Sequence, residues 1–337
     1  MKPVRLLCVM SWLFASLAID VKAQIADAPL FRDPITDGAA DPCVVYNRKE
    51  KAWWILYTQR RANCDAPGVA YCFGNRIGIA SSEDNGRSWT YRGTLDLEFE
   101  EGENTFWAPD CIYQNGTYHL FVVYIRGVRT QFGERARLMH YTSKDMWNWK
   151  CKGTVKLPQD NVIDPTLMQL PDGTWRMWYK YQATSCYADS KDLVHWTGAE
   201  KPAASEYAHE GAKAFRYKDR YWLVVDEWAG MGVYSSTDYT HWTRQEKRIL
   251  DTPSTRPDDT PSGAHGDVVV SADGQAYIFY FTHPGRTKHS ESPVDENGIQ
   301  PYSIRRSSLQ VARLNIGEDG QMVVEPRDNG VVIDLKP

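Results

Sequence analysis

Past its first two dozen residues, the 337-residue chain has no apolar run long enough to cross a bilayer as a helix, so no membrane span is expected. No long segment keeps a 3.6-residue apolar period, which excludes a helical bundle. Basic patches with interleaved aromatics are also missing. With 39 Lys and Arg against 43 Asp and Glu, nucleic acid is not an expected partner. The seven cysteines have spacings that fit no zinc site. What remains is an all-β chain.

The opening segment is a special case. "MKPVRLLCVMSWLFASLAIDVKAQ" has Lys2 and Arg5, an apolar stretch, then "VKA" before Gln24. This reads as a secretory signal peptide, residues 1–23, cut after Ala23. The apolar run is short for a membrane anchor, and Cys8 lacks the small preceding residue of a lipoprotein signal. The protein is expected to be secreted or periplasmic, as a monomer. The mature chain, 24–337, keeps 36 basic and 42 acidic residues, a net charge of −6. Of its six cysteines, Cys64 and Cys72 share one loop-like stretch and are the pair to expect if any disulfide forms. Cysteines inside strands read as core residues. Thirteen Trp and 19 Tyr mostly imply packing, but scattered Trp in a strand-rich exported chain also suits stacking on sugar rings.

The chain repeats itself. "SSEDNGRSWT" from Ser81, "TSKDMWNWK" from Thr142, "DSKDLVHWT" from Asp189 and "SSTDYTHWT" from Ser235 each place an Asp four or five positions before a Trp. The Asp and Ser or Thr can close a tight turn on backbone amides, and the Trp then starts the next strand. Ahead of these hairpins run "ADPCVVYNRKEKAWWILYTQR", "APDCIYQNGTYHLFVVYIRG", "IDPTLMQLPDGTWRMWYKYQ", "HEGAKAFRYKDRYWLVVDEW" and "AHGDVVVSADGQAYIFYFTH". Each is a short strand, a turn and a strand of Tyr, Trp, Val, Ile and Phe. Five copies of about four strands, roughly 45–65 residues each, predict a single five-bladed β-propeller. "SLQVARLNI" and "QMVVEP" are the expected fifth outer pair, completed by the chain start.

First strands of a propeller line its axis, so equivalent positions converge. Aligning the five strings puts Asp41, Pro109, Asp164, Glu210 and His265 at one position. An Asp before a strand can cap a turn, but three acids in one ring point to chemistry. The second strands return to the same face. Their ends carry Arg60, Arg126, Lys180, Trp228 and His283, with Gln59, Tyr124, Glu227 and Thr282 beside them. Together with Trp107, these first five are the candidate sugar-binding residues. Cleaving a glycosidic bond needs a protonated acid and a base or nucleophile. A third, anionic neighbour would keep the acid protonated. Glu210, with the longer side chain, suits the acid; Asp41 and Asp164 suit a base and a tuner.

"DGAADPCVV", "FWAPDCIY", "VIDPTLM", "HEGAKAF" and "GAHGDVVV", in this order, resemble glycoside hydrolase family 43 and its five-bladed furanosidase clan, from about Pro29 to about Arg286. The resemblance implies that Asp41 is the general base, Asp164 the modulator and Glu210 the general acid, with inversion at the anomeric carbon. It also implies a central Ca²⁺ near His265. It makes the expected function a secreted, exo-acting glycosidase of plant-type or algal polysaccharide, of α-L-arabinofuranosidase or β-xylosidase type. The alternatives are galactofuranose, β-L-arabinofuranose or anhydro-galactose as the sugar, or a non-catalytic carbohydrate-binding propeller. His209, beside the acid, has no assigned role. Arg60, Arg61, Arg126 and Arg286 make the rim more cationic than a neutral pentose requires; they either pair with acids or recognise a uronate or sulfate. "SEDNGRSW" fits the Asp box of sialidases, but that box is a turn device, and sialidases need six blades.

Overall fold

The computed structural model describes residues 25–97, 99–133, 135–198, 203–288 and 291–337; the expected signal peptide lies outside the described residues. Blade 1 holds β1 (Ala39–Asn47), β2 (Ala52–Gln59), β3 (Arg76–Ser82) and β4 (Thr90–Thr94). Blade 2 holds β5 (Thr105–Gln114), β6 (Thr117–Ile125), β7 (Arg137–Ser143) and β8 (Lys150–Thr154). Blade 3 holds β9 (Ile163–Gln169), β10 (Trp175–Tyr181), β11 (Thr184–Ser190) and β12 (Thr197–Gly198). Blade 4 holds β13 (Glu210–Tyr217), β14 (Arg220–Asp226), β15 (Met231–Ser236) and β16 (Thr243–Arg244). Blade 5 holds β17 (Ala264–Val270), β18 (Ala276–Thr282), β19 (Ser308–Ile316) and β20 (Met322–Val324). Each blade is an antiparallel meander in sequence order. The first strands touch in a closed ring, β1 on β5, β5 on β9, β9 on β13, β13 on β17 and β17 on β1. The fold is therefore the expected five-bladed β-propeller.

The second strands explain why the sequence reads as unbroken apolar runs rather than as alternation. β2, "AWWILYTQ", is buried along its whole length because it is covered on both faces. Trp53, Ile55 and Tyr57 pack with Tyr277, Phe279 and Leu309 of blade 5, while Trp54 and Leu56 pack with Leu120 and Val122 of blade 2. Each of the five blade interfaces holds one such apolar cluster.

The repeated Asp-to-Trp turns do what their composition predicts. Asp192 Oδ1 accepts from the amides of Val194 and His195, and Asp238 Oδ1 from those of Thr240 and His241. Three of the Trp rings meet an aromatic of the preceding blade edge-on: Trp89 on Phe279, Trp196 on Phe121 and Trp242 on Trp178.

Two expectations need correction. Blade 5 is complete with β19 and β20, and the chain start adds no strand to it. The chain start contributes one antiparallel bridge, Phe31 to Leu309 at the start of β19, while Ile25 to Val332 and Gly38 to Ser307 tie it to residues beside the blade. Cys64 and Cys72 are not bonded: all six cysteines of the described chain are free thiols, and Cys43, Cys72, Cys111 and Cys186 are buried as core residues.

Candidate active site

Where the first strands meet, each carries a bulge near its start. Cross-strand register corrects the alignment expected from sequence. Ala40, Trp107, Ile163, Glu210 and Ala264 pair with Thr58, Val123, Lys180, Asp226 and Phe281, and are equivalent. The next residue in each blade is Asp41, Ala108, Asp164, Gly211 or His265. Glu210 therefore stands one residue earlier than Asp41 and Asp164, and Pro109 one residue later. The bulge demands a left-handed backbone in four blades, with φ of 49° at Asp41, 43° at Ala108, 56° at Asp164 and 57° at Gly211. Glycine meets that demand without strain in blade 4. The shift still brings the acids together, because a bulge re-aims the side chains beside it.

A cavity of about 570 Å³ opens over this point. Asp41, Asp164, Glu210 and His265 lie in its lining, with Arg60, Lys180, Trp107, Trp228, His283 and Arg286. Arg126 is not among the lining residues. β6 ends at Ile125, and the Arg126 side chain is turned out to solvent, 3.6 Å from Glu100. Glu227 is also directed elsewhere, bonded by Arg244 and Arg248.

Asp41 is held as an anion. Its Oδ1 lies 3.2 Å from Arg60 Nη2 and 3.4 Å from His265 Nδ1. Burial pushes its pKa up, but Arg60, His265 and the Thr58 hydroxyl more than offset this and hold it well below the usual carboxylate range. His265 is raised in turn to about 9, against the effect of burial, by Asp41, Asp164 and Glu210. Asp164 Oδ2 accepts from the Gly211 amide at 3.0 Å, which ties it to the residue after Glu210. Burial raises its pKa; His265 opposes the rise and Glu210 adds to it.

Both oxygens of Glu210 are occupied. Lys180 Nζ donates to Oε2 at 2.7 Å and Trp228 Nε1 donates to Oε1 at 2.9 Å. Burial pushes Glu210 up, yet Lys180 and then Trp228 bring it below its ordinary value. The sequence expectation was that neighbours keep Glu210 protonated; in this arrangement the raised carboxyls are Asp164 and Asp226 instead.

Asp226 was missed by sequence reasoning. It is the cross-strand partner of Glu210, buried behind it, and is pushed up to about 7 by burial and by Glu210. Its oxygens accept from the amides of Trp228 at 2.7 Å and His265 at 3.0 Å. His209 now has a place: Nδ1–H donates to the Tyr207 carbonyl and Nε2 accepts from the buried Ser185 hydroxyl, both at 2.8 Å. Burial lowers its pKa, so it is a neutral anchor for the start of β13.

One side of the cavity is walled by three joined segments. Residues 60–75 of blade 1, 126–133 and 135–136 of blade 2, and 284–288 and 291–301 of blade 5 supply it. Val69 N donates to Thr130 O at 2.9 Å, and Gly68 N to Gly298 O at 2.8 Å, joining all three. A Cβ on Gly68 would lie 2.2 Å from Thr130 O, so this junction requires glycine. Aromatic rings of Phe73, Trp107 and Phe132 pack together in this wall. His283 Nδ1–H donates to Arg306 O at 2.9 Å and turns Nε2 toward Arg60.

A divalent cation near His265 does not fit the residues present. His265 Nδ1 faces Asp41, and among the described residues no group of three or more His, Cys, Asp or Glu side chains converges on a point that could hold a metal. Deeper on the axis the Lys213 ammonium already stands between two carboxylates, 3.1 Å from Asp110 and 2.8 Å from Asp267.

Comparison with known proteins agrees with this geometry. A family model for a glycosyl hydrolase 43-related, probable glycosyl hydrolase domain matches residues 29–269. A probable arabinan endo-1,5-alpha-L-arabinosidase A of Emericella nidulans is 28% identical over 204 residues, 53% of this chain; the match spans only 60% of that relative's length. An exo-1,5-alpha-L-arabinanase from a bovine ruminal metagenomic library has a TM-score of 0.59 at 18% identity, over 88% of this chain and 99% of its own. A GH43 β-xylosidase/α-arabinofuranosidase from a compost microbial metagenome, in complex with xylotriose and in a calcium-free form, has a TM-score of 0.63 at 14% identity, over 90% and 97%. The two solved structures share the fold. With the family model covering most of the chain, the protein belongs to the family 43-related glycosyl hydrolases.

Proposed function

We propose that the protein is a secreted, inverting glycosidase that removes terminal pentose residues, arabinofuranosyl or xylosyl, from plant-type polysaccharide. The observation that carries this reading is the floor of three carboxyls, Asp41, Asp164 and Glu210, beneath a cavity closed on the side of blades 5, 1 and 2 by joined loops. A wall of that kind stops a polymer from running through the site, which favours attack at chain ends.

In this reading Asp41, already an anion, takes a proton from water as the water oxygen bonds to the anomeric carbon. Glu210 gives a proton to the departing oxygen as the glycosidic bond breaks. Glu210 must therefore carry a proton in the reactive complex. Asp226, pushed up to about 7 by burial and by Glu210, is a neighbour from which that proton can come, and such coupled carboxyls titrate together. A sugar hydroxyl that draws Lys180 away from Glu210 would move this proton onto the acid.

Lys180→Met should consequently shift the alkaline limb of the kcat/KM profile to higher pH. The sign follows from the charge: an acid catalyst loses activity as pH rises through its pKa, and Lys180 holds that pKa down. An unmoved limb would remove Lys180 from the control of Glu210.

The reading as a whole is tested by product release. Wild type and Glu210→Ala are incubated with arabinan, xylan, galactan, pectin fragments and an aryl-glycoside panel, and the products are separated by chromatography. Arabinose or xylose as the sole early product, from the wild type only, is expected. A ladder of oligosaccharides at early times would overturn exo action, and retention of configuration by NMR would overturn inversion.

A further inference from the structure

Two residues beyond the bulge, the five first strands contribute a second ring to the axis. Its members are Cys43, Asp110, Thr166, Lys213 and Asp267, equivalent by their pairing with Leu56, Phe121, Trp178, Val224 and Phe279. The mechanism uses none of them. Asp110 and Asp267 are almost wholly buried. Lys213 Nζ lies 3.1 Å from Asp110 Oδ1 and 2.8 Å from Asp267 Oδ1.

The second oxygen of each acid reaches a further blade. Asp110 Oδ2 accepts from the Leu167 amide of blade 3 at 2.7 Å, and Asp267 Oδ2 from the Val44 amide of blade 1 at 2.6 Å. Lys213 itself belongs to blade 4. One ammonium and two carboxylates thus join all five blades at the axis. The Cys43 thiol completes the ring: its Sγ accepts from the Cys111 amide at 3.2 Å and lies 3.9 Å from Asp110.

Two carboxyls taken out of water this close together need either a proton on one of them or, if both are ionised, a cation between them. A divalent metal or an ammonium satisfies that requirement equally well by charge, and here the space between them is filled by a side chain. Burial works against the Lys213 charge, yet Asp110 and Asp267 more than offset it.

We infer that Lys213 is the axial cation of this propeller, so that the chain folds without a divalent metal, and that removing the ammonium turns the Asp110–Asp267 pair into a divalent-cation site. The inference concerns the scaffold, and its readout is thermal unfolding, so it stands or falls apart from any sugar specificity.

The experiment compares melting temperatures of wild type and Lys213→Ala in excess EDTA, then along a calcium chloride titration. The wild-type Tm should be the same throughout. Lys213→Ala should melt lower in EDTA by roughly 5–8 °C, the size expected for one broken buried ion pair in a chain of this length. Calcium should raise the variant's Tm in a concentration-dependent way, as a ligand of the folded state alone does. The response should vanish in the double variant Lys213→Ala/Asp267→Asn. A Lys213→Ala protein recovered folded only in calcium would support the inference equally. A wild-type Tm that falls in EDTA and returns with calcium would overturn it, with no variant needed. A folded Lys213→Ala whose Tm ignores calcium would overturn the equivalence of ammonium and metal.

Discussion

Glu210→Ala should lose about 10²–10⁴-fold in kcat/KM on an unactivated glycoside, the usual contribution of a positioned general acid. It should lose far less on aryl glycosides with electron-poor phenols. The difference lies in the leaving group. A sugar alkoxide cannot depart into a buried site without a proton, whereas a nitrophenolate is stable enough to leave unaided. Side-chain loss also frees Lys180 and Trp228, the two donors that Glu210 engages. The comparison between substrates removes any general damage from that source, because damage of that kind lowers both rates alike. Equal losses on the two substrate types would take the acid role away from Glu210.

Asp41→Ala should behave differently, with turnover falling by about 10²–10⁴-fold on both substrate types. No leaving group supplies a missing base. The substitution also leaves Arg60 and His265 without the carboxylate they share. A lower melting temperature is therefore expected alongside the kinetic loss, since an unpaired buried charge is destabilising. Asp41→Asn separates the two effects: it keeps the shape and an acceptor oxygen but not the basicity. Retained product binding by calorimetry, with turnover still lost, is the outcome that isolates the base. Substantial hydrolysis by Asp41→Asn would place the base elsewhere in the cavity.

How far all this was legible in the sequence differs from element to element. The Asp-to-Trp turns are local devices, built from residues within a few positions of each other; they marked the outer hairpins of four blades, and the five strand-turn-strand strings counted the blades. The aromatic second strands were equally plain, because double-sided burial writes itself as continuous apolar residues. Asp41, Asp164, Glu210 and His265 were found by assuming that five repeats align without gaps. That assumption placed Glu210 one residue out of register. The "EG" of blade 4 uses its glycine for the left-handed position that "DP" fills with the Asp itself in blades 1 and 3. Asp226 was hidden because it is the last residue of β14, and Glu227 and Trp228 just beyond it carry the more conspicuous side chains. Arg126 failed for the opposite reason: a charge just past a strand end follows the loop, and its nearest acid lies outside the cavity. The axial ring of Cys43, Asp110, Thr166, Lys213 and Asp267 has no shared chemistry to align on, and only cross-strand pairing reveals it.

The double-sided second strands have a consequence for how this molecule comes apart. Alternate residues of one strand, such as Trp53 and Trp54, belong to different blade interfaces. Loosening one blade therefore strips one face from each neighbour, and the loss passes around the circle. An open array of repeats can fray from its ends; a circle of this kind has no end from which to fray. Native-state hydrogen exchange should accordingly report one shared opening energy for amides of β2, β6, β10, β14 and β18, with the outermost strands β12 and β16 exchanging by smaller, local openings. A blade cannot be treated as a portable unit, and changes at its apolar positions are answerable to two partners at once.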